Sequence, residues 1–374
     1  MNKIVSDDSI YRELQKKIHE NTPVGYPAAE DGTDIKILKL LLSSEEAKIS
    51  AQLGGRPEPL DDIHKRISET GISISLKELE EVLDKLVGKG VIIGGPQAYD
   101  WEKGLKRYCL MHWAVGIFEA QLGKMTKEIA EMANKYNRET YYKEFHRKDR
   151  PPQIQTIPIE KSLTPEHHAS SYDNIRDIIT NKVDIISTRD CVCREEHDII
   201  ENPCKLSDIR NCCVMFNDAA RGTIASGAGK EISKEEFFDL LDTYQKEGFV
   251  LQPQNTKNPM YMCVCCGCCC GVLTMAKQLP RPAEYYSSNF YAQSDPERCN
   301  GCEICEERCQ MDAITMVDDK SVVNLERCIG CGNCVATCPT EAMELHKRER
   351  EKVPPENFGD LTRKIIEKKI TYAE

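Results

Sequence analysis

The chain has 374 residues, 40% apolar and 6% aromatic, and a net charge of −11. That length exceeds one ordinary core and predicts two or three domains, while the acidic balance disfavours nucleic acid and suits basic patches on protein partners. The opening MNKIVSDDSIYRELQKK is polar throughout, and the longest weakly polar run, Tyr261 to Ala276, carries six cysteines, so neither a signal peptide nor a membrane span is expected and the chain is read as cytoplasmic.

Residues 1 to 30 read as a short helix and a linker containing Pro23, Gly25 and Pro27. Three helical patterns follow. Ile35, Leu38, Leu41 and Leu42 share one apolar face, Leu60, Ile63 and Ile67 a second, and Ser75-Leu76-Lys77-Glu78 is a capping box that opens a third helix with Leu76, Leu79, Leu83 and Leu86 inside. Gly88 and Gly90 end that helix, Val91-Ile92-Ile93 reads as a strand, and Gly94-Gly95-Pro96 as a turn. Helix–helix–helix–strand of this size resembles a winged helix. Between Glu30 and Asp100, however, fourteen Asp/Glu stand against nine Lys/Arg, and the third helix carries Glu78, Glu80, Glu81 and Asp84. Phosphate contacts need cations, so a docking role is expected there rather than DNA binding. Residues 101 to 146, with Trp101, Trp113, Phe118, Tyr136, Tyr141 and Tyr142, read as a long helical region. Cys109 reads as a buried hydrophobe.

Thr164-Pro165-Glu166 has the form of a helix start and Lys182 to Thr188 that of a strand. His167 and His168 lack a matching third ligand and are expected to be inert. Next come eleven cysteines between Cys191 and Cys270. Such density of reduced thiols at short spacing reads as metal ligation, not as a disulfide framework. Cys191 and Cys193 alternate on a segment read as extended, and Cys204 and Cys212 close a loop towards them, which makes these four a candidate thiolate set. Arg194 is read either as an offset to thiolate charge or as an ordinary salt-bridge residue. Gly222 to Gly229 lacks nucleotide-loop features and reads as a plain loop before the Ser233-Glu236 capping box, whose helix carries Phe237, Phe238, Leu240, Leu241 and Tyr244 and ends at Gly248. Cys263, Cys265, Cys266, Cys268, Cys269 and Cys270 exceed the needs of one site. Gly267 and Gly271 would let the backbone approach a cluster and leave N–H groups for its sulfides. One or two further iron–sulfur clusters are expected in this region; structural zinc with spare buried thiols is the rival, since thiolate density alone does not choose the metal.

Residues 297 to 305, Glu-Arg-Cys-Asn-Gly-Cys-Glu-Ile-Cys, recur as Glu-Arg-Cys-Ile-Gly-Cys-Gly-Asn-Cys at 326 to 334, an offset of 29 that extends to Cys309/Cys338 and Ala313/Ala342. Each copy spells C-x2-C-x2-C-x3-C and resembles the run of two-cluster bacterial ferredoxins. The resemblance implies two [4Fe-4S] clusters with crossed ligation, one on Cys299, Cys302, Cys305 and Cys338, the other on Cys328, Cys331, Cys334 and Cys309. Pro339 follows Cys338 as in that family, but Gln310 follows Cys309, where an added donor is expected to raise that cluster's potential. The tail from Lys347 is charged, with a surface helix expected near Leu361 to Ile370.

From Asp34 to Arg348 the order of parts resembles a family of large ferredoxin-like proteins of anaerobic bacteria and archaea, with a winged-helix-like start, a C-x-C-R segment, a C-C-G-C-C-C-G stretch and a two-cluster ferredoxin end. Cys265-Cys266-Gly267 also matches the core of the cysteine motif of heterodisulfide-reductase-type subunits, but the flanking cysteines are wrongly placed. The expected architecture is multidomain α+β: a winged-helix-like domain at 1–100, a helical connector at 101–165, a cysteine-rich metal-binding α+β centre at 166–290, a ferredoxin pseudo-repeat at 291–348 and a charged tail at 349–374. The expected function is electron transfer between redox protein partners, oxidoreductase subunits among them. The rivals are a redox sensor acting through the winged helix and a redox enzyme subunit with a substrate-binding central cluster. Oligomeric state is left open.

Overall fold

A computed structural model describes residues 7–94 and 104–371; the turn expected at Gly94-Gly95-Pro96 falls partly outside these residues, and Trp101 wholly. The chain mixes helix and strand and divides into two compact units, residues 1–145 with 195–202, and residues 146–194 with 203–374.

The first unit holds α1 (Asp7–Asn21), α2 (Thr33–Leu41), α3 (Ser44–Ser50), β1 (Glu58–Pro59), α4 (Leu60–Glu69), α5 (Leu76–Lys89), β2 (Ile92–Ile93), β3 (Arg107–Leu110), α6 (Lys127–Tyr136) and α7 (Tyr142–Phe145). Its three strands are antiparallel in the order β1-β3-β2. The first apolar pattern forms α2 and its C-cap, with Ile35, Leu38, Leu41 and Leu42 all buried, whereas Leu76 of the third pattern, the first residue of α5, is exposed. Ser43 forms a capping box with Glu46 and starts α3 just after Leu42. Ser75 and Glu78 cap α5 in the same way, and Gly90 ends it in the left-handed region at φ 74°. Residues 107–145 are not one long helix. They form β3, tight turns near Gly116 and Gly123, then α6, a π-type turn at Asn137–Tyr141, and α7. The aromatic residues there build a cluster: Trp113 packs against Tyr26, Phe118 and Tyr136, and its indole N–H donates to Asn137 Oδ1 at 2.7 Å. Cys109 is buried on β3. Leu79, Leu83 and Leu86 of α5 and Ile63 and Ile67 of α4 are fully buried. Leu83→Ala removes a wholly enclosed side chain, so urea unfolding followed by far-UV circular dichroism should show the first unit losing about 2–5 kcal/mol.

The second unit begins with α8 (Ile175–Lys182), β4 (Ile186–Arg189) and the first turn of α9 (Val192–Ile199), and continues through β5 (Cys213–Phe216), α10 (Asn217–Ala225), β6 (Lys230–Ile232), α11 (Lys234–Glu247), β7 (Val250–Pro253), β8 (Tyr261–Cys265) and α12 (Gly271–Lys277). Thr164 to His167 make only a single 3-10 turn, after which His168 turns left-handed. The five strands form one antiparallel sheet in the order β6-β4-β5-β8-β7. Strand periodicity sorts its side chains by face. Ile186, Val214, Phe216, Leu251, Met262 and Val264 face α8 and α11, sharing a core with Ile178, Phe237, Leu241 and Tyr244. Val250 and Cys265 join the opposite core, with Cys263 packed against it, and that core continues into the C-terminal strands. Those are β9 (Phe290–Ser294), β10 (Ile314–Val317), β11 (Lys320–Val323) and β12 (Met343–Lys347), paired as β9 with β12 and as the β10–β11 hairpin, with α13 (Ile304–Arg308) and α14 (Asn333–Thr337) between; α15 (Phe358–Thr371) closes the described chain.

Candidate metal centres

The 29-residue sequence repeat is a backbone repeat as well. Left-handed φ values recur at Gly301 and Gly330 (76° and 67°), Glu303 and Gly332 (64° and 78°), and Asp312 and Glu341 (51° and 55°). These turns coil each Cys-rich loop and then release it into α13 or α14, whose ends carry Cys309 and Cys338. Cys299, Cys302, Cys305 and Cys338 line one pocket, together with Pro339, Met316 and Met343. Cys309, Cys328, Cys331 and Cys334 line another, with Ile314, Val323 and Ile329. Each loop therefore lends three sulfurs to its own pocket and its fourth to the other.

Both pockets aim N–H donors at sulfur. Ser321 N–H donates to Cys299 Sγ at 3.4 Å and its hydroxyl lies 3.5 Å away. Ala292 N–H donates to Cys328 Sγ at 3.3 Å, and Ala313 N–H to Cys309 Sγ at 3.2 Å. Such donors favour sulfur that carries negative charge. The Ser321 hydroxyl and N–H hold the Cys299 thiol below its usual range. In the second pocket burial dominates: it pushes Cys331 up to about 12 and raises Cys309 and Cys334 as well. Four convergent sulfurs with apolar walls and N–H donors suit a thiolate-bound cluster in each pocket.

The eleven central cysteines divide differently from the set of Cys191, Cys193, Cys204 and Cys212. Cys204, from the loop after α9, meets Cys266, Cys268 and Cys269, from the loop after β8, and all four sulfurs lie within 4.8 Å of one another. The separations are 3.7 Å for Cys204–Cys266, 3.6 Å for Cys204–Cys268, 3.5 Å for Cys266–Cys268 and 3.0 Å for Cys266–Cys269. Contact with Cys266, before all else, draws the Cys204 thiol down to about 5.

A second row of sulfurs runs Cys191–Cys193–Cys270–Cys265–Cys263, each thiol reaching its neighbour. Cys193 is not on an extended segment: it sits in the first turn of α9, two residues after Cys191, which precedes the helix. Its Sγ accepts the Gly271 N–H at 3.5 Å, the role expected of that glycine. Gly267 acts otherwise. Its N–H donates to Gln310 Oε1 at 2.7 Å, and a Cβ there would stand 2.2 Å from the Gln310 carbonyl oxygen. The Gln310 side-chain amide N–H is directed to the Arg308 carbonyl at 3.4 Å.

Cys212 is buried, its thiol directed at the Ile209 carbonyl 3.7 Å away and pushed up to about 12 by burial. Cys213 lies opposite Cys263 in the sheet register. Arg194, 1% exposed, stacks over Phe249 at 4.5 Å and donates to the carbonyls of Ser207 and Ile209. Burial opposes its charge, whereas Cys212, Cys266, Cys204 and Cys269 act to hold its pKa above the usual range. His167 is structural: its ring bonds the Thr164 N–H and the Leu345 carbonyl. Ser321, Ala292 and the Gln310–Gly267 contact carried no sequence signal, because they depend on strand pairing and loop packing.

A family model described as a 4Fe-4S dicluster domain matches residues 291–339, a span holding all eight cysteines of the two pockets. No curated protein and no solved structure matches the chain. The C-terminal segment is thus a 4Fe-4S, ferredoxin-like domain, and no helix among the described residues is long and apolar enough to cross a membrane.

Ser321→Ala deletes the hydroxyl near Cys299 and leaves the backbone donor. An EPR-monitored redox titration should then show the cluster of that pocket reducing at a lower potential, with the other unchanged.

Proposed function

We propose that the chain is an electron-transfer protein or oxidoreductase subunit, relaying low-potential electrons between redox partners in an anaerobic cytoplasm through two [4Fe-4S] clusters. The observation that carries this reading is the arrangement of eight cysteines, four and four, around two pockets related by the 29-residue repeat. Clusters held there supply one-electron transfer; the protein supplies ligands, N–H donors and burial that set the potentials. Cys302 is the exposed ligand, exposed Glu303 and Ile304 follow it directly, and the backbone of exposed Asp319 packs against Gly301. An apolar spot with an acidic rim suits a partner with a basic docking face. Cys302 opens the first pocket to solvent, which favours added negative charge there and a higher potential than in the second pocket.

The second sulfur row supports one further iron–sulfur cluster, held by Cys191, Cys193, Cys265 and Cys270. Cys265 and Cys270 belong to the same buried core as Cys305, Cys328 and Cys334. Gln252 is wholly buried opposite Cys263, and its amide makes no well-formed hydrogen bond within the protein, as expected of a donor facing a cofactor. In the first unit, Glu80 and Asp84 of α5 pair with Lys106, so the helix presents acid rather than a phosphate-binding face, which favours protein docking over DNA binding.

Protein purified without air should contain about twelve iron and twelve sulfide per chain, falling to about eight of each in Cys270→Ser. Colourless protein without sulfide would overturn the relay. Reversing rim charge with Glu303→Lys and Asp319→Lys should slow electron delivery to a basic acceptor about tenfold at low salt, and stopped-flow rates measured across ionic strength would show it.

A further inference from the structure

We infer that Cys204, Cys266, Cys268 and Cys269 hold a single thiophilic divalent ion, zinc or ferrous iron, without inorganic sulfide. The ground is the distance between sulfurs. Four thiolates bonded to one tetrahedral ion at ~2.3 Å lie ~3.8 Å from one another. Here the closest sulfur pairs stand 3.0–3.7 Å apart and all four fall within 4.8 Å. The thiolates of a cubane bind four different irons and are held apart by the cage. Neither ferredoxin pocket, among the described residues, shows sulfurs converging in this way. The row Cys191–Cys193–Cys270–Cys265 is chained rather than closed and forms no such group, so among the described residues one set of four sulfurs is closed around room for one ion.

Chain geometry accounts for the closed set. Cys266-Gly267-Cys268-Cys269 turns directly after β8, and the Gln310 contact with the Gly267 N–H pins that turn. Cys204 completes the four from a separate loop, one whose Ser207 and Ile209 carbonyls are held by Arg194. Charge provides a second and independent observation. Four thiolates and a divalent ion leave two net negative charges, too costly to bury without a counter-charge. Arg194 supplies one: it is 1% exposed, lies beside Cys204, Cys266 and Cys269, and keeps one guanidinium nitrogen, Nη2, without a hydrogen-bond partner in the protein. With both halves present, the ion ties the loop at 203–212 to the end of β8.

This inference stands apart from the relay, because sulfide reports cubanes and excess metal reports the single ion. The test is simultaneous quantification of zinc, iron and acid-labile sulfide in the full chain purified without air. Cubanes hold iron and sulfide in equal number, so the expected result is about one metal atom per chain beyond the sulfide count. Excess zinc identifies zinc, and iron exceeding sulfide by about one identifies ferrous iron. Metal-edge X-ray absorption should then show about four sulfurs at ~2.3 Å and no metal–metal scattering for that atom. Cys268→Ser should lose the one ion while keeping all its sulfide and visible absorbance. Metal equal to sulfide in the parent protein would overturn the inference even if the variant fails to fold. So would a Cys268→Ser protein that loses about four iron and four sulfide together.

Discussion

Thiolates repel one another, and the second unit gathers nineteen of the twenty cysteines. Metal bound there would relieve that repulsion, and groups that answer negative charge are already in place. In the ferredoxin-like segment the answer is backbone N–H: Ser321 to Cys299, Ala292 to Cys328, Ala313 to Cys309. Beside the closed four-sulfur set it is a full positive charge, the guanidinium of Arg194. Dipoles suit a cluster that must take up and release an electron with little reorganisation. A fixed cation suits a site whose charge stays constant.

The five-stranded sheet is the device that keeps the central thiols separate. Alternation along β8 directs Cys263 and Cys265 to one face, and Val264, followed by Cys266, to the other. Sulfurs adjacent in sequence therefore enter different sites: Cys265 joins Cys270 and Cys193, whereas Cys266 joins Cys204. Past the strand, Cys268 and Cys269 stay with Cys266, and Cys270 returns to the other row at the start of α12.

The place where this chain departs from the ferredoxin pattern is also where its two cysteine-rich parts meet. A proline after Cys309 would have neither the amide oxygen that accepts from Gly267 nor the side chain to span that gap. Gly267 in turn has no room for a Cβ against the Gln310 carbonyl. Nearby, Arg308 donates to the carbonyls of Gln245 and Lys246 at the end of α11, and Asn333 to those of Gly248 and Phe249. Within the first copy of the repeat, the end at Arg308 and Gln310 is thus fastened to the central region, while Cys302 faces solvent.

Features written in local pattern were legible from the residues: capping boxes at Ser75 and Ser233, the Gly248 stop, and the C-x2-C-x2-C-x3-C repeat with its turn glycines. Each depends on neighbours a few residues apart, whose backbone geometry sequence alone determines. The reading of Cys191 and Cys193 as extended did not survive, because a short segment following β4 has no long apolar period to reveal that α9 begins there. Residues 101–146 misled for the opposite reason: aromatic density mimicked a helix, whereas β3 needs β1 and β2 beside it to exist. Which sulfurs meet was beyond local pattern altogether. Cys204 lies 62 residues from Cys266, and only the folding of two loops against one sheet edge brings them to 3.7 Å. Spacing determined that this chain binds metal through sulfur; how the central sulfurs are shared between sites was decided by the tertiary structure, since strand alternation and loop closure act across distances that spacing does not encode.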